Sequence, residues 1–260
     1  VNGAVYPPLP GATQVALMKL RQTIRKTPPA DQAKAAKELW KQQNRKSSPV
    51  FRVVRKRLLQ RSRCSRGACA WCDHDSASQL DHVAPKNHFP EQAFRWANLV
   101  PCCGRCNQTK GDQCAVIVSG KQVKLTRKQG VPKQFDKLAY LHPRQDRMED
   151  HFALDLRTGW WMAIQKPHED TERAELTLRI LGLNEVQLLC DARKAAWTSL
   201  RNALELAALA HEAGDNATID ENRSQIAALP QTVWAQMKKH RQQYPRIKLL
   251  FERLPVALNW

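Results

Sequence analysis

A chain of 260 residues with 42% hydrophobic side chains holds enough apolar material for a real core, which excludes disorder throughout. The formal charge is +18 and it is concentrated: residues 1–68 hold 16 Lys/Arg against Asp31 and Glu38 alone, a balance of +14, which leaves +4 for the rest. No run of 18 apolar residues occurs, which excludes a helical membrane span, and no membrane partner is expected.

The start, VNGAVYPPLPGATQ, has neither a charged n-region nor an apolar h-region, so the expectation is a cytoplasmic protein. In that reducing compartment the eight cysteines are read first as metal ligands or reactive thiols. ATQVALMKLRQTIRK and ADQAKAAKELWKQQNRK read as two helices separated by Pro28 and Pro29. Pro49 then opens a third, PVFRVVRKRLLQRSR, with apolar positions 50, 51, 54 and 58 on one stripe. Residues 1–65 are therefore expected to form a basic helical segment. Its charge fits a polyanion, since each Lys or Arg that neutralises a phosphate releases condensed counterions. Arg52, Arg55, Lys56, Arg57, Arg61, Arg63 and Arg66 are the candidate nucleic-acid contacts. A solvated basic helix, or an acidic protein partner, is the competing explanation.

Between residues 66 and 112 Cys, Asp, His, Asn and Gly replace periodic apolar residues, the composition of a site and not of a helix bundle. CAWC and CGRC set Cys69, Cys72, Cys103 and Cys106 in two C-x2-C knuckles with thirty residues between them. Four thiolates so arranged match a closed, tetrahedral, structural Zn²⁺ site, with a redox C-x-x-C as the alternative. Cys64, Cys102, Cys114 and Cys190 are left over, and Cys102 could compete as a ligand, although 103 and 106 keep the spacing it would lose. Zinc contributes on the order of 10 kcal/mol to the folded form of such a segment, so the stretch between the knuckles is expected to be a loop of fixed shape. That stretch contains QLDHVAPKNHFP, with the Asp81-His82 pair.

QCAVIVSGKQVKLTRKQG alternates around Gly120 and carries five Lys/Arg from 121 to 133 without an acid, suggesting an exposed basic hairpin or loop. HFALDLRTGWWMAIQ reads as a second hairpin turning at RTG, within a basic loop and hairpin region over 126–170. From Thr171 the pattern is helical to residue 260: TERAELTLRILGLN ends at Gly182, Asn184 is placed to cap a helix running to about Glu212, and a last pair of helices is bounded by Pro230, Pro245 and Pro255. Trp197, Trp234 and Trp260 are expected in the core, with a docking face as the alternative. His74, His88 and His168 read as surface or structural histidines.

As one piece, CAWCDHDSASQLDHVAPKNHFPEQAFRWANLVPCCGRCNQTKGD resembles the HNH endonuclease family in its zinc-knuckle form. The likeness rests on Asp81, His82 and Pro85, then Trp96, Asn98 and Leu99, then Cys103, Cys106, Asn107, Lys110 and Gly111. It implies an α+β fold, a ββα-metal core over 66–125 stapled by the four-cysteine zinc site, inside a mostly helical chain. It further implies that Asp81 and Asn107 bind a catalytic divalent ion, Mg²⁺ or alternatively Mn²⁺. His82 would act as general base, Asn98 would brace the loop that aims it, and Lys110 would touch a phosphate or cap the helix. The implied activity is hydrolysis of nucleic-acid phosphodiesters, DNA favoured. The alternatives are RNA such as tRNA, or a non-catalytic zinc-dependent nucleic-acid-binding module. A looser likeness in PKNHFPEQAFRWANLVPCC, HPRQDRMEDHFALDLRTG and LTLRILGLNEVQLLCDAR is similar to the PtuB-type HNH subunits of Septu and retron antiphage systems. It implies a PtuA-like ABC-type ATPase partner, with a retron reverse transcriptase and its DNA as further components. The long basic N-terminal extension departs from that family's shorter start.

Overall fold

Proline positions and apolar spacing set the first three helices, α1 (Gly11–Lys26), α2 (Gln32–Gln43) and α3 (Pro49–Leu59). The structure, a computed structural model, describes residues 6–45, 47–60, 67–74, 76–126, 130–166 and 168–260, so Cys64, Arg61, Arg63 and Arg66 lie outside the described residues. α1 stops at Thr27, whose ψ of 141° is the extended conformation that a following proline imposes. α3 begins on Ser48, whose Oγ accepts the Phe51 N–H at 3.3 Å, with Pro49 at the first helical position where a missing N–H costs nothing. Phe51, Val54 and Leu58 recur at helical spacing and are fully buried. They join Leu17, Ile24 and Trp40 in a core that also contains Leu80, Ala93, Phe94 and Leu99 from between the knuckles. The basic helices thus share one core with the segment that carries Asp81 and His82.

That segment is more regular than a fixed loop. β1 (Gln79–His82) pairs antiparallel with β2 (Leu99–Cys102), Asp81 opposite Val100 and His82 opposite Leu99, and α4 (Gly104–Lys110) follows. This is the strand, strand, helix order that the resemblance implies. Next come β3 (Ala115–Val118), β4 (Lys121–Lys124) and β5 (Lys137–Leu138), ordered β4-β3-β5 in one sheet. The β3–β4 hairpin turns at Ser119 and Gly120, both with positive φ, the tight connection that matches strand twist. Only its outer strand is exposed and basic: Val116 and Ile117 of β3 are buried, because β3 lies between two neighbours and under the core of the knuckles.

β6 (Phe152–Asp155) and β7 (Trp160–Ala163) form the second hairpin at the expected place. Its Gly159 sits at φ +77°, and a Cβ there would lie 2.2 Å from the Cys190 carbonyl oxygen, so no larger residue fits. α5 (His168–Leu181) ends at Gly182 with φ +56°, and α6 (Gln187–Ala213) is followed by α7 (Asn216–Ala228), α8 (Gln231–Lys239) and α9 (Pro245–Arg253).

Two expectations are corrected here. Asn184 does not cap α6; its amide accepts the Trp161 N–H at 2.9 Å and donates to the Trp161 carbonyl at 2.8 Å, fastening β7 instead. Three helices, not a pair, close the fold, because Gly214 ends α6 in the left-handed conformation, Asp215 caps α7, and Pro245 starts a helix instead of ending one. Trp197 and Trp234 are buried in the C-terminal core and Trp260 packs partly against it.

Two long-range ties bind these parts. The Arg144 guanidinium lies 4.6 Å from the Tyr6 ring centre and 4.7 Å from that of Trp96, and donates to the Leu99 carbonyl at 3.1 Å. Asp73, directly after the first knuckle, accepts the Thr232 N–H at the start of α8 at 2.9 Å. Among the described residues no helix is long and apolar enough to cross a membrane.

Candidate active site

The four knuckle cysteines converge: the Sγ atoms of Cys69, Cys72, Cys103 and Cys106 all lie within 4.8 Å of one another and all four residues are buried. Zinc–sulfur bonds of about 2.3 Å place tetrahedral sulfurs about 3.8 Å apart, so the quartet fits one Zn²⁺ with little adjustment. Cys103 also caps α4, its sulfur accepting the Cys106 N–H at 3.4 Å, and the Ala70 N–H bonds the Pro101 carbonyl at 2.9 Å to dock the first knuckle onto β2. Burial pushes the Cys69 thiol up, and the neighbouring thiols of Cys103, Cys69 and Cys72 push Cys106 up. A shared dication is what makes four such sulfurs stable as thiolates. Cys102 stands outside the quartet: it is buried, 4.0 Å from the Cys69 sulfur, with its thiol directed at the Cys103 carbonyl at 3.3 Å.

Beside the zinc quartet, Asp81 and His82 from β1 and Asn107, the residue after Cys106 on α4, line a single cleft of about 390 Å³. The Asp81 carboxylate, 5% exposed, accepts from Trp71 Nε1 at 2.9 Å and from the His82 N–H at 2.7 Å. Lys110 approaches it from α4, with Nζ 3.3 Å from Oδ2, and donates to the His82 carbonyl at 2.7 Å. This ammonium is fully buried, so it faces the interior and not a phosphate at the surface. Lys110→Met keeps the stem but leaves a buried carboxylate without its cation. Loss of one partner from such a pair costs about 3–5 kcal/mol, so the denaturant midpoint should fall clearly while zinc stays bound. An unchanged midpoint would show that the pair does not hold the site.

His82 is 4% exposed and its Nε2 lies 3.0 Å from the Ala93 carbonyl oxygen. A carbonyl only accepts, so Nε2 carries the hydrogen and Nδ1 keeps the lone pair. The Trp40 ring of α2 stands against the imidazole, centroids 4.2 Å apart. Burial first, then the Lys86 charge, lowers the His82 pKa to about 3, so the ring is neutral at physiological pH. Asn98 bridges the turn: its Oδ1 accepts the Ala84 N–H at 2.7 Å, and its Nδ2 donates to the carbonyls of Ala84 at 3.0 Å and Gln92 at 3.1 Å. It therefore ties the end of β1 to the chain entering β2.

Asn107 donates to Gln79 Oε1 at 2.5 Å, and its own Oδ1 has no hydrogen-bond partner among the described residues. A carboxylate with four acceptor positions, an unengaged amide oxygen and an open cleft make a hard-oxygen donor set of the kind Mg²⁺ takes. With Trp71, the His82 N–H and Lys110 on the other three, Asp81 would offer one remaining position.

Of the expected nucleic-acid contacts, Arg52 and Lys56 are exposed, Arg57 is partly exposed, and Arg55 alone of the described α3 cations lines the cleft. Sequence reading missed Trp40, Asn44 and Lys86 as cleft residues and Trp71 as a partner of Asp81. Their spacing marks a helix face or a knuckle, and nothing local in it points to the neighbouring Asp-His.

The comparisons bear on this arrangement: residues 64–113, about a fifth of the chain, match the HNH endonuclease family model. The chain is similar to the Septu protein PtuB of Bacillus thuringiensis, with 36% identity over 52 residues, 18% of this chain and 20% of that protein. The match thus spans about a fifth of the relative's length. No solved structure matches the chain.

Proposed function

We propose that this chain is a metal-dependent endonuclease that hydrolyses phosphodiester bonds, DNA being the favoured substrate, and that it serves as the effector of an antiphage defence complex. The observation that carries the reading is the His82 imidazole, fixed by the Ala93 carbonyl with Nδ1 free to take a proton, in one cleft with Asp81 and Asn107. His82 removes the proton from the attacking water at Nδ1, and its neutral state keeps that nitrogen available. Asn98 holds the turn between β1 and β2 so that the ring keeps its aim. Asp81 and Asn107 would hold the divalent ion, which when bound stabilises charge on the phosphate and on the leaving oxygen. Lys110 and Trp71 orient the carboxylate by occupying its other positions. The quartet Cys69, Cys72, Cys103 and Cys106 holds Zn²⁺ as a staple under α4. The likeness to PtuB supports a Septu-type assembly with a PtuA-like ABC-type ATPase, and a retron reverse transcriptase with its DNA belongs to the same proposal.

The test is a cleavage assay of the purified chain, alone and co-purified with its native partners, on plasmid DNA and on tRNA, with Mg²⁺ or with none added. Nicking or linearisation of the plasmid that requires the added ion is expected. Binding without cleavage of either substrate, in every metal condition and in the complex, would leave a nucleic-acid-binding module and overturn the enzyme.

A further inference from the structure

Arg55 is built into the cleft in a way that the other basic residues of α3 are not. Its Nη2 donates to the Asn44 carbonyl at 2.8 Å and to Asn44 Oδ1 at 2.5 Å, and its Nη1 to the Arg45 carbonyl at 3.3 Å. These carbonyls close the C-terminal end of α2, where helix geometry leaves acceptors unsatisfied. The side chain is thereby fixed across the elbow between α2 and α3, so little rotamer freedom remains to be lost on binding. All its acceptors are uncharged, and no carboxylate pairs with it among the described residues. Three of its five N–H groups are used, leaving Nε–H and one Nη1–H unengaged. The cleft is lined by two carboxylates besides: Asp81 is matched by Lys110, and Asp112 accepts from Asn87 and acts on the neighbouring Lys86. A fixed, unneutralised guanidinium with spare donors is a receptor for an oxyanion.

We propose that Arg55 is the phosphate-binding residue of this cleft, gripping one backbone phosphodiester of the strand presented to His82. The N-terminal helices are then part of the substrate site: α2 supplies the Trp40 wall against His82 and the Asn44 anchor, and α3 supplies the grip. The identification of the ligand as a nucleic-acid strand rests on the nuclease reading, while the oxyanion site rests on the arrangement of Arg55 itself. Because the contact is to phosphate, it does not distinguish DNA from RNA.

The experiment measures binding of duplex DNA, single-stranded DNA and RNA of one sequence to the full chain at several salt concentrations, without added Mg²⁺, together with a scan in which single linkages are replaced by uncharged methylphosphonates. Arg55→Ala should weaken binding roughly 10-fold and make the log–log salt slope shallower by about 0.7 to 0.9. Arg223→Ala, at an exposed position of α7, removes the same charge away from the cleft and should keep wild-type affinity. One methylphosphonate position should weaken the wild type as Arg55→Ala does and have no further effect on that variant. Arg55→Lys, which keeps the charge and loses the fork, should fall between them, and it carries the test should the alanine variant fail to fold. Wild-type affinity and slope in a folded Arg55→Ala, or weakened binding with no linkage whose effect disappears in the variant, overturns the proposal and leaves Arg55 as a clip between α2 and α3. The two readings fail separately. Arg55-dependent binding in a chain that cuts nothing overturns the nuclease alone, and cleavage with Arg55-independent affinity overturns the phosphate site alone.

Discussion

His82→Ala is expected to reduce cleavage by about 10²- to 10⁴-fold, the usual contribution of a positioned general base. The fold should survive, because neither the zinc quartet nor the β1–β2 ladder uses the imidazole. Zinc content and oligonucleotide affinity should therefore match the wild type, which separates loss of chemistry from loss of structure. The same residue sets the pH behaviour. Burial lowers its pKa to about 3, and that of His142 to about 4, whereas both titrate near 6.5 in the unfolded chain. Between those limits the unfolded state binds more protons, so stability is complete above pH 6.5 and is lost as pH falls toward 4 and then 3. The slope reaches about 1.4 kcal/mol per pH unit for each histidine. Activity of the folded enzyme should accordingly show no acid limb at pH 6.5, and acid inactivation should coincide with unfolding. A limb near 6.5 in protein still folded by circular dichroism, or full activity in the alanine variant, would remove His82 from the role of base.

Cys106→Ser should have the largest effect on structure. Its sulfur belongs to the metal quartet, and its N–H is the one capped by Cys103, so the substitution removes a ligand from α4 itself. Zinc contributes on the order of 10 kcal/mol to such a site, comparable to the whole stability of an ordinary domain. α4 also carries Asn107 and Lys110, so losing it releases the amide from the cleft and the ammonium from Asp81 together. Elemental analysis should find no zinc in the variant and one per chain in the wild type, and the cooperative melting transition should disappear. Cys102→Ser is the control: outside the quartet, it should keep its zinc. Zinc loss there instead, with zinc retained in Cys106→Ser, would reassign the ligands.

What could be read from the sequence follows the range over which each signal acts. The knuckles are legible because tetrahedral sulfur needs a fixed short spacing, and the 152–163 hairpin because alternation and a glycine turn are local. Gly182 is likewise visible as a helix end. The edge-on contact of Trp40 with His82 is not legible, since on α2 that tryptophan is simply another residue of an apolar stripe. Lys110 carries the same charge whether it faces a phosphate or a buried carboxylate, and only the path of α4 past β1 decides which. Asn184 stands where a cap would stand, yet β7 offers it a backbone N–H and carbonyl together, and that pair wins. Arg55 is one of several arginines on its helix, distinguished only by where the end of α2 falls.

The bond from Asp73 to Thr232 sets the order of synthesis against the order of assembly. A ribosome delivers the first knuckle long before α8, and the two bonded residues are separated by 159 positions. Until residue 232 emerges, Asp73 has the local bond from its own N–H to the Cys69 carbonyl, while the Thr232 N–H that its carboxylate accepts in the finished fold is not yet made. Closing so long a loop carries an entropic cost that grows with the logarithm of its length, and contacts of high sequence separation form late. Ion capture by the cysteines can proceed on the nascent chain, because all four precede residue 107. The clamp on the first knuckle is a late event, made when α8 packs.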